Sequence, residues 1–353
     1  MLQRLCGQSF KYRNRSLVSF GFNTYDSTRI STIISPSCSN NDIYNVSAGH
    51  FFSSSTATTS VTEGNSTESK LDNINERSVE EQYIRKTPLE HVLLRPGMYV
   101  GPTERLPPID CWVLDPSPKP LGTKKNISFK MIQKEYGLIP ALQKVFDEIL
   151  VNATDNQLRH PKSCTLLDVS IEQGGKSKEP IIRIWNNGKG IPIKIHKEEN
   201  MYLPEMLFGH LLTGSNFDDT EKRLTGGRHG YGAKLSNIFS KSFTIETVDC
   251  RQRLHYKQTW TNNMTEAGEP QITTLDKSDA KEDYTCISFV PDIQRLSGDP
   301  KITTINNHDY ALMCRRVVDA AGCAAGKLEV ILNGHDVSME SFADYINLYR
   351  KKD

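Results

Sequence analysis

Apolar and polar positions fall into regular periods only from about residue 83 onward. No proline interrupts residues 141–159, where Val145, Phe146, Ile149 and Leu150 recur at helical spacing, and the pattern predicts a helix over 138–158. The same period predicts helices at 204–212, 233–239 and 309–321. Alternating and β-branched runs predict strands at 165–173 and 180–185, joined through GGKSKE as a hairpin, and again at 243–250, 254–260, 285–290 and 328–332. Strands outnumber helices, and the helices are grouped rather than strictly alternating. The expected fold class is therefore α+β, a two-layer sandwich with one core over residues 83–335.

Two stretches break the pattern. Residues 1–82 are rich in Ser, Thr and Asn, with SSSTATTS at 53–60, and lack periodic apolar faces, as expected of a disordered tail. Six prolines between Pro102 and Pro120 mark an exposed connection with one short strand expected at 111–114.

The predicted helix at 138–158 also carries polar residues in register. In EILVNATDN, Glu148, Asn152, Asp155 and Asn156 fall at i, i+4, i+7 and i+8, so they share a face beside the apolar stripe. A carboxylate and two carboxamides around one cavity can activate a water, complete the shell of a hard cation such as Mg²⁺, and bond a ligand. The plain alternative is a solvated, Asn-rich helix face. Asn is a poor interior helix former and needs a reason to be there.

Two further segments bear on that choice. In IRIWNNGKGIP an apolar run at 181–185 reads as a strand, and Asn186, Asn187, Gly188 and Gly190 read as the turn that follows. In LTGGRHGYGAKLSNIFS, Gly226, Gly227, Gly230 and Gly232 lead into the predicted helix at 233–239. Glycines permit close backbone approach, a helix N-terminus presents free N–H groups to an anion, and Arg228 and Lys234 add positive charge where phosphates would sit. An isolated glycine run can equally be a surface loop. Neither the G-x-x-x-x-G-K-[ST] phosphate loop nor a G-x-G-x-x-G dinucleotide turn occurs, so a phosphate site here is of another kind.

The ordered trio EILVNATDN, NNGKGIP and TGGRHGYGAKL resembles the ATPase domain shared by gyrase, Hsp90-type chaperones, histidine kinases and MutL, and within it most closely the eukaryotic type II DNA topoisomerases. KTPLEHVLLRPGMYVGP, FGHLLTGSNFDD, CRRVVDAAGC and LEVILNG look like that family's opening strap, ribose-contacting loop, closing helix and strand. The match runs from about Arg85 to the end.

The resemblance implies that Glu148 is the general base for the water attacking the γ-phosphate and that Asn152 holds Mg²⁺. It further implies that Asn186 contacts adenine, that Gly214, Ser215 and Asn216 lie along the ribose, and that the backbone of Gly227, Arg228, His229, Gly230, Tyr231, Gly232, Ala233 and Lys234 wraps the phosphates of ATP. Asp155 and Asn156 are expected to order the site rather than carry the chemistry. Two positions depart from the usual family pattern: His229 stands in place of Asn, and Gly214 in place of Ser. A His can still donate one bond to a phosphate and brings pH dependence near neutrality. Loss of the hydroxyl at 214 costs on the order of 1 kcal/mol.

The family's function is ATP-dependent passage of one DNA duplex through a transient double-strand break, an isomerase activity in which two ATPase domains dimerise when ATP binds. Double-stranded DNA is thus an expected partner through the complete enzyme. Residues 336–353 look like the threshold of a transducer domain. The family's transducer lysine and DNA-cleaving tyrosine have no positions in this chain. The expectation is either a piece of a longer product or a truncated, non-catalytic module that binds nucleotide and pairs with full-length subunits.

Composition narrows the remaining classes. With 43 basic and 42 acidic residues the formal net charge is +1, so the chain lacks the global basic field of a dedicated nucleic-acid binder. No apolar run approaches the roughly 20 residues that span a bilayer. Eight cysteines are scattered without a C-x-x-C pair, which argues against a zinc site or a disulfide framework. Residues 1–25 carry Arg4, Lys11, Arg13 and Arg15 and no acid, the composition of a mitochondrial or plastid transit peptide; the alternative is a basic tail on a nuclear protein.

Overall fold

Thr87 opens the first described helix, α1 (Pro88–Leu94), by accepting from the Glu90 N–H while the Glu90 carboxylate accepts from its own. The structure is a computed structural model and describes residues 83–115, 129–214 and 230–350. The expected tail over 1–82, its transit-peptide reading, and the site candidates Ser215, Asn216, Gly227, Arg228 and His229 lie outside the described residues. Helix α1 and the short α2 (Gly97–Val100) form the strap, and Val92 and Val100 sink into the main core.

The strand expected at 111–114 is one arm of a hairpin, β1 (Ile109–Leu114) paired antiparallel with β2 (Met131–Tyr136). The second arm escaped sequence reading because MIQKEY exposes Gln133, Lys134 and Glu135 together and shows no alternation.

Helix α3 (Pro140–Arg159) is the long helix predicted at 138–158, and it buries Ala141, Leu142, Val145, Phe146, Ile149, Leu150 and Ala153. The hairpin β3 (Leu166–Glu172) and β4 (Ile181–Asn187) follows, then α4 (Leu203–Gly209) and α5 (Gly232–Ile238). Next come β5 (Ser240–Asp249), β6 (Leu254–Thr261), the short β7 (Glu266–Ala267) and β8 (Gln271–Thr274), and β9 (Tyr284–Pro291). The described chain closes with α6 (Ile293–Ser297), α7 (Asn307–Cys323), β10 (Glu329–Leu332), β11 (His335–Asp336) and α8 (Phe342–Asn347).

Nine of these strands form one sheet in the order β11-β10-β3-β4-β9-β5-β6-β7, with β8 also paired to β6. Only the β10–β3 pairing is parallel. Register puts Val169, Ile184, Ile287 and Ile245 in one row across β3, β4, β9 and β5, and Ile182, Phe289, Phe243 and Trp260 in the next. Opposed residues share a face, so these rows make a continuous apolar floor under α3, α5 and α7. The α+β two-layer sandwich is the observed architecture. The six described cysteines are all free thiols, and no described helix is long and apolar enough to cross a membrane.

Candidate nucleotide site

The helix that supplies the catalytic candidate begins without a side-chain cap of its own. Asp309 of α7 takes that role: its carboxylate, fully buried, accepts from the Ile139 N–H at 2.9 Å and from Arg105 Nη2 at 2.9 Å, with Gln143 Nε2 at 3.3 Å. A negative group at a helix N-terminus is favourable for both the free N–H groups and the macrodipole. This contact fixes where α3 starts.

A little over two turns into α3, Glu148 is half-buried and ion-paired to Lys144, one turn back. Its carboxylate lies against the start of α5, where a Cβ on Gly232 would collide with Glu148 Oε2. Any side chain at 232 would therefore displace the Glu148 carboxylate. Asn152 is exposed on the next turn, and Asn156 Nδ2 donates to the Lys189 carbonyl at 3.3 Å, tying the helix to the turn after β4. Asp155 corrects the expected four-member stripe, since it is buried and only Glu148, Asn152 and Asn156 stay accessible.

We expect Gly232→Ala to keep the fold and lose turnover, because alanine is the better helix former while its methyl must push the Glu148 carboxylate aside. A misplacement of about 1 Å costs on the order of 10²-fold in kcat. The check is steady-state ATPase activity beside a melting curve; an unchanged kcat removes the contact from the chemistry.

Asn186 and Asn187 close strand β4, as expected, but they do different work. Asn187 is a structural clamp: its Oδ1 accepts from the Thr165 and Leu166 N–H groups at 2.8 Å, and its Nδ2 donates to Thr165 Oγ1 and Glu282. Asn186 is 5% exposed and donates to the Asn187 carbonyl at 2.9 Å, with Cys164 Sγ at 3.9 Å. In register, Asn186 stands opposite Thr285 of β9, and Thr285 stands opposite Thr247 of β5, so Asn186 and Thr247 share a row facing the helices. Thr247 accepts from the Ile191 N–H at 3.2 Å and donates to the Tyr284 carbonyl at 2.9 Å, holding the NNGKGIP turn. Sequence reading missed Thr247 and the clamp role of Asn187, because only strand pairing brings 187 to 165 and 191 to 247.

Gly230 takes a left-handed φ of 64° and introduces α5. Tyr231 packs its ring 6.3 Å from that of Tyr99, whose hydroxyl meets His91 Nδ1 at 2.8 Å, so the strap seats on α5 within its own domain. Leu94 and Met98 remain exposed on the strap. Lys234 is 3% exposed and donates its ammonium to the Thr213 carbonyl, next to Gly214. Thr213 in turn donates to the Met206 and His210 carbonyls at 2.7 and 2.8 Å. Instead of presenting its charge outward, Lys234 braces α5 to the chain after α4.

Burial pushes Lys234 down to about 8 from the usual lysine value. The folded state thus binds fewer protons than the unfolded chain between pH 8 and 10.5, so stability gains with pH across that window and carries a constant charging penalty below it. Relative to Lys234→Met, the parent is expected to gain up to about 3 kcal/mol from pH 8 to 10.5, read from denaturant unfolding at each pH. A flat difference between the two proteins refutes it.

A cleft of about 770 Å³ opens beside the same turn, lined by His160, Lys189, Ile191, Cys250 and Lys281 among others, and it contains neither Glu148 nor Asn152. The cleft and the Glu148–Asn152 face are separate features of the surface. No cluster of three or more His, Cys, Asp or Glu suited to a metal occurs among the described residues. The exposed carboxamide of Asn152, one turn from Glu148 on this face, is an oxygen donor that suits a hard cation taking its other ligands from phosphates and water.

Residues 139–286 match a family model described as the histidine kinase-, DNA gyrase B-, and HSP90-like ATPase. DNA topoisomerase 2 of Drosophila melanogaster is 43% identical over 274 residues, 78% of this chain and 17% of that protein. DNA topoisomerase 2-beta of Homo sapiens is 45% identical over 290 residues, 82% of this chain and 16% of that one. This chain therefore spans about a sixth of the length of the curated relatives it matches. Among solved structures, the ATPase and transducer domains of DNA topoisomerase II from Balamuthia mandrillaris align with a TM-score of 0.69 at 46% identity, covering 78% of this chain and 65% of that one. The ATPase region of Saccharomyces cerevisiae topoisomerase II aligns with a TM-score of 0.68 at 41% identity, covering 77% and 65%.

Proposed function

Because the chain belongs to the histidine kinase-, DNA gyrase B- and HSP90-like ATPases, of the kind carried by eukaryotic type II DNA topoisomerases, we propose that it acts as the ATP-operated N-gate module of such an enzyme. The observation that carries this reading is the Glu148 carboxylate set against Gly232 at the head of α5, with Asn152 one turn along α3. Glu148 takes the proton of the attacking water, Asn152 would hold Mg²⁺, and the backbone at Gly230–Lys234 receives the phosphate oxygens. Mg²⁺ supplies charge neutralisation on the phosphoryl oxygens when bound. Asn186, in the inner-face row with Thr247, is the group that meets adenine.

ATP binding drives pairing of two copies in this reading, and it governs capture of a DNA duplex in the complete enzyme. Tyr83, Ile84, Leu94 and Met98 favour the pairing, since they leave large apolar side chains uncovered on the strap and the chain leading into it. A module that binds nucleotide and pairs with longer subunits without turning it over is the second reading.

Titration with Mg–ATP and a nonhydrolysable analogue, followed by binding and by size, tests both. The parent is expected to bind and to dimerise with the analogue, and Asn152→Ala to weaken Mg–ATP binding by about ten-fold or more. A folded parent that binds no nucleotide refutes the ATPase reading; binding and pairing without turnover selects the second.

A further inference from the structure

Helix α8 lies beyond the last sheet strand and buries no residue completely, yet its Tyr345 starts a chain of polar contacts that ends beside Glu148. Its Tyr345 hydroxyl donates to Asp319 Oδ1 at 2.8 Å. Asp319 Oδ2 accepts from Arg316 Nη1 at 3.4 Å, one turn back on α7. Arg316 Nε reaches both carboxylate oxygens of Asp147, at 2.9 and 3.2 Å. Asp147 is the residue immediately before Glu148 on α3.

We propose that Asp147, Arg316 and Asp319 form a positioning relay through which the docking of α8 sets the orientation of Glu148. The inference rests on Glu148 being the general base. Three features support a relay over a scattered surface network. First, α3 and α7 are already packed by Val145, Met313, Val317 and Val318 in the common core, so the polar chain is not needed to hold them together. What it adds is a fixed rotation of α3 about its own axis, and Glu148 follows that rotation because a helix turns as a rod.

Second, the seat for Tyr345 is cut to shape, since a Cβ on Gly322 would fall 2.5 Å from the tyrosine ring. The seat is reinforced by Tyr349, which meets the Tyr345 hydroxyl at 2.7 Å and packs its ring 5.2 Å from that of Trp112, and by the Leu348 carbonyl, which accepts from the Met131 N–H at 2.9 Å. Third, an element with no fully buried side chain of its own is a low-stability unit, which can be docked or released without unfolding the sandwich. The relay therefore has the two ends a coupling requires: a displaceable element at one and the reacting carboxylate at the other.

Tyr345→Phe keeps the ring in its seat and removes only the hydroxyl, so it tests the relay in the full chain without disturbing the core. We expect Tyr345→Phe and Asp147→Asn each to lower kcat by about 2- to 30-fold with KM for ATP unchanged, and the double variant to be no slower than the slower single. Amide exchange over residues 144–152 is expected to quicken by a similar factor in both. Arg316→Lys, which keeps the charge and loses the second donor, should recover part of the rate that Arg316→Ala loses. Additive losses in the double variant, or unchanged kcat with unchanged exchange, would overturn the relay. If the parent itself hydrolyses no ATP, the general-base reading fails on its own, and the exchange at 144–152 still decides: unaltered protection in Tyr345→Phe overturns the relay, and quickened exchange supports it as a mechanical link.

Discussion

Glu148→Gln is expected to bind Mg–ATP about as the parent does and to hydrolyse it roughly 10²- to 10⁴-fold more slowly, the range a positioned general base contributes. The substitution keeps the shape that Gly232 accommodates, so α5 need not move. It also keeps a carbonyl oxygen within reach of Lys144 while removing the basic site. Loss therefore falls on kcat and leaves binding intact, the signature of an interaction made in the transition state. Phosphate release under single-turnover conditions, with contaminating ATPases excluded, measures it. A Gln variant as fast as the parent would mean that Glu148 is not the base.

The second large effect lies away from the chemistry. Asp309→Ala is expected to destabilise the folded chain by about 3 kcal/mol, because it leaves the buried Ile139 N–H without its acceptor and takes the carboxylate from Arg105 Nη2, whose guanidinium keeps only the Gly137 carbonyl. No other side chain caps α3, and the lost carboxylate also faces the positive end of the helix macrodipole. Asp309→Asn keeps one acceptor oxygen and is expected to lose less, about half as much. Urea unfolding of the three proteins reads the order directly. An Ala variant as stable as the parent would show that water or a rearranged Gln143 replaces the carboxylate. Since α3 carries Glu148 and Asn152, nucleotide should restore part of the lost stability through binding linkage.

Both predictions stand on residues of different legibility. Glu148 and Asn152 were readable from the chain, because helical spacing puts them on one face whatever the helix packs against. Asn186 at a strand end and the glycine run before α5 were readable for the same local reason. Asp309 was not, since an aspartate two residues after Asn307 reads as an ordinary first-turn residue of α7. Its partners at 105, 139 and 143 are brought to it only by packing. The second arm of the β1–β2 hairpin, the row shared by Asn186 and Thr247, and the Arg316–Asp147 pair belong with it.

Lys234 marks the boundary between the two kinds of knowledge. Sequence places a cation in a glycine-rich phosphate loop, and chemistry alone would aim it at phosphate. The fold instead buries it and turns its ammonium onto the Thr213 carbonyl. Period, turn chemistry and glycine placement act between neighbours in the chain, so the sequence by itself determined the elements, the α+β class, the family likeness and the polar helix face that is the candidate site. Burial, strand register and the partners of charged groups depend on segments far apart in the chain, 204 residues in the case of Arg105 and Asp309, and these only the tertiary structure decided.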